Sequence, residues 1–105
     1  EETGKQWTQP IGFVHGLFEV VADVLARTSD IDSPEAIRDA IKATNLDTIV
    51  GNLSWGSGPV PNVAKTQLVA GQWQTGDDYP FELKVTSNST GLDIPVTGDI
   101  QPKSW

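Results

Sequence analysis

An α/β fold is predicted by three features of the sequence. A long early segment repeats its apolar residues every three or four positions, a shorter helical segment opens at Ser33-Pro34-Glu35, and alternating segments punctuated by glycine and proline follow. At 105 residues and 11.3 kDa the chain is long enough for one small domain. Seven Lys and Arg stand against fourteen Asp and Glu, a net charge of −7. No cluster of cations exists to hold a phosphate backbone, so nucleic acid is excluded as a partner. The absence of cysteine excludes disulfides, zinc ribbons and thiol catalysis. No signal peptide is recognisable, and no apolar run approaches the ~20 residues that span a bilayer.

The elements follow in order. Glu1 to Gln9 are polar and read as a loop. Pro10 suits a first helical turn, where its missing N–H would have no partner anyway. Val14, Leu17, Phe18, Val21, Val24 and Leu25 then mark one stripe of a helix over about 10–28, expected to pack on a sheet. His15, Glu19 and Asp23 lie on the opposite face. Ser33 supplies a capping oxygen, Pro34 a fixed first turn and Glu35 a carboxylate at the positive end of the dipole. They start a second helix over about 34–44, with a stripe of Ile37, Ala40 and Ile41 and with Asn45 as a left-handed terminator. Thr48 to Val50 and Leu53 to Trp55 read as one strand interrupted at Gly51. Gly56, Gly58, Pro59 and Pro61 break regular structure. Residues 63–70 alternate as a half-buried strand, and Phe81, Leu83 and Val85 alternate with Glu82, Lys84 and Thr86 as another. From Asn88 to Trp105 turn formers dominate, with one apolar patch at Ile94 to Val96.

Several constellations carry chemistry on paper. His15, Glu19 and Asp23 recur every four residues, which could bring an imidazole and two carboxylates to a divalent metal. Their position opposite the apolar stripe is that of a solvated face, and no metal is expected. Asp30 and Asp32, or Asp77 and Asp78, are acid pairs in turns that face water. The single His, without a G-x-S-x-G elbow, gives no nucleophile and base. SWGSGPVP imitates part of a phosphate loop, yet no Lys follows and Pro59 blocks the required helix start. The sequons at Asn52 and Asn88 read as accidental. No enzyme activity and no cofactor are expected. The four tryptophans stand at element boundaries, where α/β proteins build crevices, although packing is the commoner role of Trp55 and Trp73.

The stretch from Ala43 to Gly76 carries Asp47, Thr48, Ile49, Val50, Gly51 and Trp55, a Gly-Pro loop, and then Gly71 and Trp73. This ordered set resembles the C-terminal part of type I periplasmic solute-binding proteins, the leucine/isoleucine/valine-binding family of ABC importers. The long and short helices upstream stand in the family's order, whereas residues 77–105 match poorly and Asn52 replaces a frequent proline. The resemblance implies a parallel sheet flanked by helices, a C-terminal segment of a longer protein, and a hinge crossing near 55–63. It further implies capture of a small amino acid or related amide or aromatic acid by lobe closure, delivery to an ABC permease, and a periplasmic or extracytoplasmic location. A ligand-sensing domain of a receptor or regulator is the alternative. In the family the loop leading into the first helix borders the cleft, which points to Phe13 as a ligand contact, with Gln9 and Ile11 behind it. A piece of such a lobe is expected to self-associate as a homo-oligomer, since it would leave apolar surface open.

Overall fold

The computed structural model describes residues 3–102, and the chain divides into two units, Glu1–Thr66 and Gln67–Trp105. The parts of the expected terminal loops that fall on Glu1, Glu2, Lys103, Ser104 and Trp105 lie outside the described residues.

In the first unit Pro10 opens α1 (Gln9–Arg27) as predicted, and Ile11 N–H donates to Thr8 O at 3.1 Å. Helix α2 (Pro34–Lys42) starts at the predicted cap, where Ser33 Oγ accepts the Ala36 N–H at 3.3 Å. It stops two residues short of 44. Asn45 does not terminate it in a left-handed conformation but begins β1 (Asn45–Thr48).

The expected single strand through Gly51 is instead a hairpin. β1 pairs antiparallel with β2 (Gly51–Ser54), Asn45 opposite Ser54 and Thr48 opposite Gly51. Thr48 holds the turn, its hydroxyl accepting from Val50 N–H at 3.2 Å and donating to Gly51 O at 2.8 Å. Gly51 has φ 95°, a region that a side chain makes costly. Residues 55–62 are bends and turns, and the predicted strand over 63–70 is irregular up to Ala70. Among the described residues no partner strand meets 63–69.

The stripe expected to pack on a sheet is largely open. Val14, Leu17, Phe18, Val21 and Leu25 are exposed, Phe18 by 67%, and only Val24 of the predicted set is buried. The face α1 buries is Gly12, Gly16, Val20 and Val24. Glycine decides this outcome: a Cβ on Gly16 would meet Val50 Cγ2 at 3.1 Å, so the bare backbone lets the β1–β2 turn approach the helix. Glu19, expected to face water, accepts the Ile49 N–H at 2.9 Å and fastens the turn. Val20, Val24 and Ala40 form the core, with Ile37, Leu46, Leu53 and Trp55 partly buried against it. By length and composition α1 also meets the requirement for a membrane-crossing helix, with a mean hydropathy of 1.2, contrary to the sequence expectation.

The second unit is the hairpin β3 (Ala70–Thr75) and β4 (Phe81–Ser87), antiparallel with Trp73 opposite Leu83. The predicted alternation from Phe81 is thus a strand. Its polar side holds the chain that follows: Gln72 Nε2 donates to Gln101 O at 2.8 Å and Gln72 Oε1 accepts from Gln101 N–H at 2.9 Å. Gln74 Nε2 donates to Asp99 O at 2.7 Å. Trp73, Leu83 and Phe81 are left exposed on the other side. Among the described residues every sheet is a two-stranded antiparallel pair, so the expected parallel sheet is corrected. The connections within each pair are far shorter than the dozen or more residues that a parallel crossover needs. The fold is mixed α/β.

Two substitutions check this packing. Gly51→Ala should destabilise the chain by about 1 to 2 kcal/mol in denaturant titration, because the side chain disfavours positive φ. Thr44 is 1% exposed and its Oγ1 both donates to Ala40 O and accepts from Arg27. Thr44→Val should cost about 1 to 3 kcal/mol, leaving buried polar groups short of a partner, and Thr44→Ser should cost less.

Candidate functional site

An open apolar groove of about 410 Å³ lies in the first unit, and its walls come from three elements and the chain beyond them. α1 contributes Phe13, Leu17 and Val21, α2 contributes Ile37 and Ile41, and Leu53 and Trp55 close the side formed by β2 and its exit. The groove exists because the hairpin docks on the glycine side of α1, turning the larger side chains away from it. Its lining offers almost no hydrogen-bonding atoms, so it would select by shape and apolar contact. Its volume falls within the ~300–1,000 Å³ of typical small-molecule sites.

Of the residues the resemblance singles out, Phe13 lines the groove and is 41% exposed. Gln9 is the first residue of α1 and Ile11 is 50% exposed; neither belongs to the lining. Trp55 serves both readings, lining the groove while packing on the core. Trp73, for which packing was the expected role, is 52% exposed on β3. Sequence reasoning missed the contribution of α2: Ile37 and Ile41 read simply as the stripe of a surface helix.

The acidic face of α1 is engaged in structural contacts. Arg27 donates to Asp23 Oδ2 from Nε at 2.8 Å and from Nη2 at 2.6 Å, and the guanidinium continues to Thr44 Oγ1 at 2.9 Å and Ala40 O at 3.2 Å. His15 Nε2 lies 3.8 Å from Glu19 Oε1, whose partner oxygen is bonded to the hairpin turn. Among the described residues no group of three His, Cys, Asp or Glu side chains is arranged to hold a metal ion. Both sequon amides have internal partners, Asn52 with Asn45 and Asp47, and Asn88 with the carbonyls of Leu92 and Ile94.

Two carboxyls are held below their ordinary range. Asp23 is lowered chiefly by the hydrogen bonds from Arg27, and Glu82 by the Lys84 ammonium at 2.6 Å and then by the Asp78 N–H. Comparison with family models, with curated proteins and with solved structures finds no match to this chain.

The lowered carboxyls set a direction for pH. A group with a depressed folded-state value contributes stability above its unfolded value and loses it as pH falls through the folded one. Acid should therefore weaken the wild-type chain below the ordinary Asp range, and Asp23→Asn should flatten that acid limb in melts recorded as a function of pH. Carboxyl NMR titration should place Asp23 and Glu82 each below the ordinary value for its own side-chain type.

Proposed function

We propose that this chain is the C-terminal segment of an extracytoplasmic solute-binding component of an ABC importer, which captures a small amino acid or a related amide or aromatic acid by closure of two lobes. The observation that carries the reading is the position of Phe13. The family resemblance names it as a cleft contact, and it lines an apolar groove of small-ligand size together with Trp55. Apolar walls of this kind suit the side chain of a branched or aromatic solute. The polar ends of such a solute need hydrogen-bonding partners that the groove lacks, and in this reading they come from the remainder of the two lobes. Closure would then be favoured in proportion to the extra contacts the liganded form makes. No chemistry on the solute is involved.

The test is a pair of calorimetric titrations. The 105-residue chain alone should show no binding of leucine, valine or simple aromatic acids near micromolar concentration, where a bound state is worth about −8 kcal/mol. Residues 9–102, grafted in place of the corresponding C-terminal segment of a leucine/isoleucine/valine-binding protein, should give a folded chimera with micromolar affinity. Phe13→Ala in that chimera should weaken binding about tenfold, or ~1.4 kcal/mol. Tight stoichiometric binding by the short chain would end the segment reading, and a folded chimera without affinity would end the solute-capture reading.

A further inference from the structure

We propose that the polar face of the β3–β4 hairpin is a site that binds extended peptide backbone, and that residues 97–101 are its ligand in cis, a strap that holds the site closed to an extended peptide from another polypeptide. Gln72 grips a single residue with both ends of its amide, Nε2 donating to Gln101 O at 2.8 Å and Oε1 accepting the Gln101 N–H at 2.9 Å. Gln74 Nε2 donates to Asp99 O at 2.7 Å and to Gln72 Oε1 at 3.0 Å, which keeps the two amides in one orientation. Upstream, Val85 O accepts the N–H groups of Thr97 and Gly98 at 2.8 and 3.2 Å, and the Thr97 hydroxyl accepts the Val85 N–H at 2.9 Å.

The spacing is that of a strand reader. In extended backbone the N–H and C=O of one residue point to the same side, and the next such pair lies two residues away. Gln72 and Gln74, themselves two apart on β3, meet Gln101 and Asp99, which are two apart and run the other way. Pro102 favours the extended conformation that this needs at Gln101. What is read is main chain. Apart from the Thr97 hydroxyl, each bond that the segment makes to Val85, Gln72 and Gln74 ends on one of its backbone atoms, and the Ile100 residue between the two grips is 72% exposed. Gly98 adds a steric requirement, since a Cβ there would meet Lys84 Cβ at 3.2 Å. The ligand class is therefore an extended peptide of the form Thr-Gly-x-x-x whose last three side chains go unread, a backbone-led mode like that of strand addition.

The strap is displaceable. Residues 88–102 form no helix or strand and contain no buried residue, and the bonds from Gln72, Gln74 and Val85 to the strap all lie at the exposed surface. Segments held in this way open at low cost. Residues 88–96 tether the strap beside its site at an effective concentration on the order of millimolar, and a free peptide has to compete with that.

The site lies in the second unit and does not rest on the solute-capture reading, so each can fail alone. The probe is a labelled, end-blocked peptide of residues 94–102, IPVTGDIQP, followed by fluorescence polarisation. The 105-residue chain carrying T97P/Q101P lacks the Thr97 and Gln101 N–H groups that tie down the strap, and it should bind the peptide saturably with the hairpin intact by NMR. The wild-type chain should bind it at least about tenfold more weakly, and Gln72→Ala in the opened chain should weaken it by a similar factor. A peptide with Ala in place of Asp99, Ile100 and Gln101 should bind within about twofold of the parent, as backbone reading requires. In the otherwise unaltered chain, Gln72→Ala should speed exchange of the Gln101 amide hydrogen at least about tenfold. Absence of saturable binding to the opened chain, equal binding by the wild type, indifference to Gln72→Ala, dependence on the three side chains, or unchanged Gln101 exchange would each overturn the proposal. An opened chain that loses the β3–β4 hairpin would overturn it too, making the strap a part of the hairpin's own fold.

Discussion

The first unit is organised around the guanidinium of Arg27. From the last turn of α1 it reaches Asp23 on its own helix, the Ala40 carbonyl in α2 and the Thr44 hydroxyl just before β1. Two helices and the approach to β1 are thereby fixed to one planar donor group, and Thr44, 1% exposed, depends on that donor for its second hydrogen bond. A lysine could not reproduce this geometry, since its point charge lacks the fork that serves several acceptors at fixed angles. Among the described residues the apolar core is Val20, Val24 and Ala40, and directional bonds of this kind complement it.

The groove is a consequence of where the small residues lie. Gly12 and Gly16 occupy the face of α1 against which the chain folds back, which allows close approach but provides little apolar area there. The larger side chains point elsewhere, some into the groove and some, such as Ile11, Val14 and Phe18, to the exposed surface. The second unit repeats this inversion in strand form. Its glutamines are covered by the following chain while Trp73, Leu83 and Phe81 stand open. Both units thus present apolar surface and use polar side chains for internal fastening.

This inversion also explains which parts of the structure were legible in the sequence. The beginnings of both helices were, because Pro10 and the Ser33-Pro34-Glu35 cap act through local geometry that needs no tertiary partner. The strand from Phe81 was, because its alternation found a partner in β3. Residues 63–69 alternate equally well but, among the described residues, pair with no strand, so the pattern had nothing to pair with. The turn at Ile49 and Val50 was hidden because β-branched residues favour strands, and what reverses the chain is the Thr48 hydroxyl together with the positive φ of Gly51. The face that α1 buries was hidden for a related reason: hydropathy weighs large side chains, whereas the packing was decided by the absence of side chains at Gly12 and Gly16. Of the groove's lining, Phe13 is a residue the resemblance singles out as a ligand contact, and Trp55 stands out by its place at a strand end. Ile37 and Ile41 were seen as a helix stripe without the wall they help to form.

The irregular stretch over 63–69 separates two units that differ in their means of surviving on their own. Among the described residues every buried residue belongs to the first unit, and the second has none. A backbone segment outside any ladder is the kind of site a protease grips, and cleavage there would not yield two equivalent products. The piece with α1 and α2 keeps its core and its Arg27 bonds. The β3–β4 piece keeps only a two-stranded ribbon, an arrangement marginal in water, and its degradation would follow quickly. Nicking of this chain should therefore erase the C-terminal third and leave behind the helical part with its core.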